Sequence, residues 1–497
     1  MKPAAAQGWT FTTLSNLGGT IGGKTPSKSN SAFWSAGSIP WISPKDMKRF
    51  ELDSSEDLIS EQAIASGGMT VLPRGSVLLV TRSGILAHTL PVALTTKAAT
   101  INQDIKAVLP SQAFSSRFMA YNLRALGPTI LRTCTKAGTT VASVETERLE
   151  SLPLPLAPLP EQKRIADKLD TVLTRVDSVN TRLARVAPIL KRFRQSVLSA
   201  ATSGRLTEAW RIAQVGLGDA EELMTTLAMD HDEIGGHERG NASEPTKEAH
   251  DLSSDQLPDC WRIGTLKDCC TPGRPICYGI LKPGPELEEG IPYIRVADFP
   301  GNRLSLAGIK RTSPEIDLQF KRARLKAGDL LLSIRGSVGR LIEIPASLEG
   351  ANITQDTARL SISQRLNSKY IYFALLAPDT QRRMTSAIRG VAVRGINIGD
   401  VRALQVPTPT LAEQGEIVRR VETLFAFADR LESRLQTAQT ATERLTPALL
   451  AKAFRGELVP QDPNDEPASE LLKRLATQSP ASLPNGRRGK RSAAVAN

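Results

Sequence analysis

The chain has 497 residues, 40% hydrophobic and 23% charged, with a net charge of +12 and five cysteines. That length exceeds one compact core and asks for about two to four domains. No run of about 18 apolar residues offers a membrane span, the odd, low cysteine count argues against a disulfide framework and suits a reducing cytoplasm, and the basic balance favours an anionic partner, most often nucleic acid.

The N-terminal stretch "MKPAAAQGWTF" lacks a long apolar core, so no signal peptide is expected. A first globular module is predicted over residues 1–157. In it "GSVLLVTR" (Gly75–Arg82), opened by glycine and closed by arginine, reads as a strand, and "FMAYNLRAL" (Phe118–Leu126) as a helix. Basic residues sit near turn glycines in "GGKTPSKS" (Gly22–Ser29) and "TKAG" (Thr135–Gly138). Glycine admits close backbone approach, while Lys and Arg neutralise phosphates or read guanine edges. On residue type and loop context the candidate DNA contacts here are Lys24, Ser27, Lys28, Lys45, Arg82, Lys106 and Lys136.

A proline-rich stretch, "LPLPLAPLP", then gives way to "LPEQKRIADKLDTV" (Leu159–Val172). A helix of roughly 60 Å is predicted over Glu161–Thr202, within a spacer of residues 158–206. Its apolar positions Ile165, Leu169, Val172, Val176, Val179, Leu183, Val186, Leu190, Phe193 and Val197 alternate spacings of four and three. That is a coiled-coil seam rather than a broad core-facing stripe. Pro160 is tolerated in the first turn, Gly204 suits a left-handed stop, and Pro188 predicts a kink. Residues 207–256 read as a short helix at Gly216–Leu227 and an exposed polar linker, "DHDEIGGHERGNASEPTKEAHDLSSD".

The chain then repeats itself at an offset of 252. Trp9 and Leu14 fall on Trp261 and Leu266, "IPWISPKDM" (Ile39–Met47) on "IPYIRVADF" (Ile291–Phe299), and "ATINQD" (Ala99–Asp104) on "ANITQD" (Ala351–Asp356). "LPRGSVLLVTRSG" matches "LKAGDLLLSIRGS" with a slip of one residue. One spacing held across half a chain marks an internal duplication. The second module spans 257–409, with "GDLLLSIR" as a strand and "YIYFALLAP" as a helix. From "SIRGSVGR" (Ser333–Arg340), "AIRGVAVRG" (Ala387–Gly395) and neighbouring loops its candidate DNA contacts are Arg274, Arg295, Arg335, Arg340, Arg389 and Arg394.

The second spacer, residues 410–458, opens on Thr410 and Glu413 in the spacing of a capping box, ends at Gly456 and contains Pro447. Its seam is weaker, with alanines and Thr442 among Ile417, Val421, Leu424, Leu431, Leu435 and Leu445. The simplest burial sets Ile165, Leu169, Val172, Val176, Val179 and Leu183 on one helix against Ile417, Val421, Leu424, Leu431 and Leu435 on the other. An antiparallel pair would then hold the modules at opposite ends of a rod; alternatively each helix packs on its own module. Residues 459–497 read as a short helix and a disordered basic tail, "PNGRRGKRSAAVAN".

Catalytic motifs are lacking: no Walker A, no HExxH, and no Asn-Pro-Pro-Tyr or Asp-Pro-Pro-Tyr of an adenine methyltransferase. Of four histidines, His231, His237 and His250 fall in the linker region, and Cys260, Cys269, Cys270 and Cys277 lack zinc spacing.

The segments Gly22–Met47, "INQDIKAV" (Ile101–Val108), "PLPEQKRIADKLD" (Pro158–Asp170), "NITQDTARL" (Asn352–Leu360) and "FRGELVPQDPNDEPASELL" (Phe454–Leu472), with the duplication, resemble the specificity (S) subunit of a type I restriction–modification system. The family's Gly-x-Thr-Pro element stands as Gly23-Lys24-Thr25-Pro26, whereas the aligned "TPGRPICYGI" of the second module keeps less of it. The resemblance implies an α+β fold: two globular α/β target-recognition domains joined by two long antiparallel coiled-coil helices, with pseudo-two-fold symmetry. It implies a non-catalytic cytoplasmic protein that reads one half of a split target in double-stranded DNA with each domain. Its partners would be two methyltransferase (M) subunits, which use S-adenosylmethionine to methylate adenine, and restriction (R) subunits, which use ATP and Mg. No cofactor is expected in this chain. A coiled-coil scaffold for a protein or another anionic polymer, and a stand-alone DNA-binding regulator, are the competing readings.

Overall fold

The computed structural model describes residues 6–136, 141–214, 216, 218–234, 252, 257–389 and 394–478. The chain forms two compact units, Met1–Ala184 with Thr437–Asn497, and Arg185–Gln436. Gly138, Gly390, most of the polar linker and the basic tail lie outside the described residues.

In the first unit a five-stranded sheet runs in the order Ile21–Gly22, Ile105–Val108, Val77–Val80, Val92–Thr95 and Glu51–Leu52. Its central strand, Val-Leu-Leu-Val, is buried at every residue, so it reads as a continuous apolar run without alternation. Beside it Ile39–Ile42 lies antiparallel to Asp57–Ile59 and parallel to Thr100–Ile101. Thr10–Thr12 pairs with Leu154–Leu156, joining the two ends of the module. The helix Ser116–Thr133 buries Phe118, Met119, Leu123 and Ile130. The same core takes in Ile165, Leu169 and Leu173 from the start of one long helix, and Leu450, Ala453 and Ala468 from the chain's last third.

The second unit repeats this plan. Its four-stranded sheet runs Cys277–Tyr278, Thr357–Leu360, Leu330–Ser333, Leu341–Glu343. Ile291–Ile294 again lies between an antiparallel strand, Lys310–Thr312, and a parallel one, Asn352–Ile353. Arg262–Thr265 pairs with Gln405–Thr408, and the predicted helix "YIYFALLAP" lies at Ser368–Leu376. The registers match too: Trp41 opposes Thr100 as Tyr293 opposes Asn352. Val80 opposes Ile105 while Ser333 opposes Thr357. This strand therefore keeps its register at an offset one residue greater than that of its neighbour, which is the slip seen in the sequence.

The long helices are Leu159–Thr202 and Leu411–Ala453. Neither Pro188 nor Pro447 ends its helix. Gly204 and Gly456 follow them with φ of 74° and 77°, the left-handed conformation that glycine adopts at little cost. In the first unit the start of one helix shares a core with Leu449 and Leu450 near the end of the other. In the second unit Val197, Leu198 and Ala201 share a core with Ile417, Val418 and Val421, and Arg194 Nη2 donates to Asp429 at 2.6 Å and Glu432 at 3.0 Å. Each unit thus joins the start of one helix to the end of the other, as antiparallel partners do. The start of each helix also packs on its own module, but it does so together with the helix pairing and not instead of it.

The seam is less uniform than its heptads suggest. Ile165, Leu169, Val176, Ile417, Val421 and Leu435 are buried; Val172, Leu183, Leu424 and Leu431 are half-buried. Val179 is 41% exposed, whereas Leu173, off the seam, is buried. Near its module the helix presents a broad face to the sheet core, not a narrow stripe. Two short helices complete the repeat, Ala220–Ile234 and Ala468–Gln478. Ala220 N donates to Cys260 O at 3.1 Å and Ala468 N to Gly8 O at 2.9 Å. His231, assigned to the linker from sequence, lies in the first of these helices, its Nε2 3.1 Å from Cys270 O.

Candidate nucleic-acid interface

The loop Asn102-Gln103-Asp104 leaves the strand Thr100–Ile101 and enters Ile105–Val108. It is locked from inside: Asp104 N donates to Asn102 Oδ1 at 3.0 Å, and Asn102 Nδ2 to Asp104 Oδ2 at 3.1 Å. Thr81 N and Arg82 N both donate to Asp104 O, at 2.8 and 3.2 Å, and Arg82 Nε to Asp104 Oδ1 at 2.6 Å. On the other side Lys24 N donates to Ile101 O at 3.0 Å, and the Thr25 hydroxyl bonds the Gln103 side chain. Gly23 is pressed so close that a Cβ there would stand 2.1 Å from Ile101 O and 2.3 Å from Asn102 O. Gly22 pairs with Lys106, Arg82 bridges Ser143, and Lys136 N donates to Ser143 O at 3.0 Å. The fold thereby gathers Lys24, Arg82, Lys106 and Lys136 around one loop.

Two tryptophans, not singled out by sequence reasoning although they lie in the motif block, tie the adjoining segment down. Trp41 Nε1 donates to Lys24 O at 2.9 Å and Trp34 Nε1 to Ser27 O at 3.1 Å. The two rings meet edge-on at 5.2 Å. Ser27 shares a 2.8 Å hydrogen bond with Ser29, and Lys28 is exposed. Lys45 is engaged elsewhere, 2.9 Å from Asp57 and 3.3 Å from Glu56. Its hydrogen bond to Asp57 is the main cause of an ammonium pKa above the ordinary value.

The second unit builds the same loop from Thr354-Gln355-Asp356. Ile334 N and Arg335 N donate to Asp356 O at 2.9 and 3.3 Å. Arg335 Nη1 donates to Gln355 Oε1 at 3.0 Å. Arg335 and Arg389 both bridge Gly395, and Gly336 N donates to Arg394 O at 3.1 Å. Arg340 shares a pocket with Arg335 and Asp356, placed by a tight turn in which Ser333 Oγ accepts from Arg340 N at 2.8 Å. Arg335, Arg340, Arg389 and Arg394 thus come together.

Arg295 and Arg274 do not join them. Arg295 folds back on buried Asp298 at 2.6 Å, and its backbone N meets the same carboxylate as Ser43 N meets Asp46 in the first unit. Arg274 reaches inward to Asp329 at 2.9 Å and Ser361 Oγ at 2.7 Å. The alignment that set "TPGRPICYGI" against the Gly-x-Thr-Pro element is also displaced. Ile280 N donates to Ile353 O at 2.7 Å, as Lys24 N does to Ile101 O, and a Cβ on Gly279 would stand 2.0 Å from Ile353 O. Gly279 is therefore the counterpart of Gly23, four residues beyond the 252 offset. The matching segment is Gly279-Ile280-Leu281-Lys282-Pro283, which makes exposed Lys282 a further candidate. The signal was Gly279 followed closely by Pro283, hidden by a small insertion.

Both loops present cationic donors rather than a nucleophile with a base. Among the described residues no group of three or more His, Cys, Asp or Glu is placed to hold a metal. Burial pushes the Cys270 thiol up to about 12 and raises that of Cys269, leaving both unreactive at neutral pH. No described helix is long and apolar enough to cross a membrane.

A family model described as the type I restriction modification DNA specificity domain matches residues 6–187 and again 259–438. The specificity subunit of the type I restriction enzyme EcoBI from Escherichia coli is 34% identical over 352 residues, covering 69% of this chain and 68% of that protein. The EcoR124I/EcoR124II specificity subunit, also from Escherichia coli, is 42% identical over 173 residues, 35% of this chain and 43% of the relative. Among solved structures, a chain from a study of complex assembly and conformational transition of the type I R-M system aligns with a TM-score of 0.60 at 20% identity, over 91% of this chain and 99% of that one. The HsdS subunit from Thermoanaerobacter tengcongensis aligns with 0.52 at 18%, over 92% and 99%. At these identities the structural likeness speaks for the fold.

Proposed function

The chain belongs to the type I restriction modification DNA specificity family, and from that premise we propose that its two recognition domains, residues 1–157 and 257–409, each read one half of a split target in double-stranded DNA. The observation that carries this reading is the repeated loop. Asp104 O receives Thr81 N and Arg82 N in one unit, and Asp356 O receives Ile334 N and Arg335 N in the other. One scaffold is used twice with different side chains around it, as two unlike half-sites require. Arginine at such a loop offers a bidentate contact to guanine worth about 1–3 kcal/mol of discrimination, while lysine on phosphate positions without reading sequence.

In this reading the spacers, residues 158–206 and 410–458, set the unread gap. Half-sites on one face of B-DNA lie about 34 Å apart, within the reach of helices of roughly 60 Å. Residues 207–256 and 459–497 connect and close the modules. The chain contributes recognition; two methyltransferase subunits holding S-adenosylmethionine methylate adenine, and restriction subunits use ATP and Mg, all in the cytoplasm where the DNA lies.

Methylation-aware sequencing of host DNA with and without the gene tests this. A split motif with modified adenine in both halves should vanish on deletion. Loss of no such motif in a host with an active system, or methylation of DNA by the purified chain alone, would overturn the reading.

A further inference from the structure

The second unit holds a concentration of positive charge away from the Gln355 loop hydrogen bonds. Arg359 occupies, in strand register, the place of Ala107: Arg359 opposes Cys277 as Ala107 opposes Ile21. The feature therefore belongs to one unit only. Arg359 is 3% exposed. Its Nη2 donates to Pro275 O at 2.8 Å, its Nη1 to Arg322 O, and its Nε has no hydrogen-bond partner. Every acceptor is a neutral carbonyl. The nearby carboxylate Asp329 is already clasped by Arg274, at 3.1 and 2.9 Å.

Arg359 lines a cavity of about 380 Å³ together with Arg274, Lys321, Arg322, Lys326 and Glu349. Lys321, Arg322 and Lys326 are exposed. Arg324, also on the wall, is neutralised by Asp317 at 2.8 Å. Once the Arg274–Asp329 and Arg324–Asp317 pairs are set aside, four cations face the single carboxylate of Glu349. A buried guanidinium without a counter-ion is costly, and burial lowers the Arg359 pKa below its ordinary value. An anion entering the cavity would balance the field and offset the cost of the buried charge.

We infer that this cavity is a binding site for a phosphate-type oxyanion, with Lys321, Arg322 and Lys326 as direct donors and Arg359 as the buried charge beneath them. Three flexible cations around a fixed positive floor suit a compact, multiply charged anion better than a carboxylate, which needs a single fork. The inference rests on the second unit alone and does not depend on DNA reading.

The test is calorimetric titration of the full chain with inorganic phosphate, against sodium chloride of matched ionic strength. Saturable phosphate binding is expected, weakened at least tenfold in the surface variant Lys321→Ala/Lys326→Ala, whose fold is not in question. Arg359→Met should abolish binding while far-UV circular dichroism is retained. No saturable binding, or unchanged affinity in the double lysine variant, overturns the site. Competition then assigns the source: displacement by a short duplex lacking the target points to a DNA backbone phosphate, and displacement by a mononucleotide but not the duplex to a free phosphomonoester.

Discussion

Trp261 Nε1 donates to the carboxylate of Glu413 at 2.9 Å, in the first turn of the second long helix. Thr207 Oγ1 and Arg211 Nη1 each reach the other oxygen of that fully buried carboxylate at 2.7 Å. Trp9 and Glu161 hold the same places in the repeat, yet Glu161 Oε1 has no hydrogen-bond partner. Burial is the main cause that raises the Glu161 pKa; the Trp9 indole and Arg164 oppose the rise, and Asp465 adds to it. One duplicated acid is a satisfied hub, and the other is buried with one oxygen unpartnered.

Glu413→Gln should therefore cost the second unit about 3 kcal/mol in urea unfolding at neutral pH, because it breaks a buried pair and turns amide hydrogens toward donors. Glu161→Gln should leave the first unit as stable or more so. The sign follows from linkage. A carboxyl whose folded pKa is raised favours folding when protonated, so its contribution is present at acid pH and is lost as pH rises through the folded pKa. The advantage of Glu161→Gln over the parent should grow from acid to neutral pH; a flat difference would refute the assignment.

Gly23→Ala and Gly279→Ala form a matched pair. In each case the new methyl would meet a backbone carbonyl, of Ile101 or Ile353, at about 2 Å, so the loop must move. Each change should weaken recognition of one half-site by about 1–3 kcal/mol, measured by mobility shift on duplexes altered in one half at a time. Equal effects on both halves from either variant would contradict their equivalence.

Arg335 rests on the neutral Gln355, whereas Arg82 is already paired with Asp104. Arg335→Ala should therefore cost more base discrimination than Arg82→Ala, since Arg82 must first give up a carboxylate. Lys24→Ala should instead weaken all sequences alike and reduce the salt dependence of binding by about one ion. Competition titrations at several salt concentrations separate the two behaviours.

Inserting four residues after Val179, about 6 Å of helix, tests the spacer as a ruler. Val179 is 41% exposed and lies outside the hydrophobic core of the first unit, so the added turn avoids that core. The methylated motif should keep both halves and acquire a longer gap; an unchanged gap would end the ruler idea.

Much of this architecture was legible in the sequence because duplication preserves what strand register demands. Trp41 and Tyr293 recur at one offset since each opposes a residue of a parallel strand, Thr100 or Asn352. The Gln-Asp loops recur at the same offset, and in each the Asp main-chain carbonyl, Asp104 O or Asp356 O, receives two amides from the end of the strand beside it. The long helices showed in their heptads, and their starts and stops in Pro160, Gly204 and Gly456.

Which of these cations meet a carboxylate was decided only by tertiary structure. Lys45, Arg274 and Arg295 look like Lys24 and Arg335 in sequence, but folding delivers Asp57, Asp329 and Asp298 to them, Lys45 at the surface and the two arginines in partly buried pairs. The match of Gly279 to Gly23 and the burial of Leu173 in place of Val179 likewise became visible only in tertiary contacts. Periodicity and spacing are properties of the backbone path, which the chain carries along its length. Charge pairing and burial depend on neighbours distant in sequence, and they exist only once the sheets have brought those neighbours together.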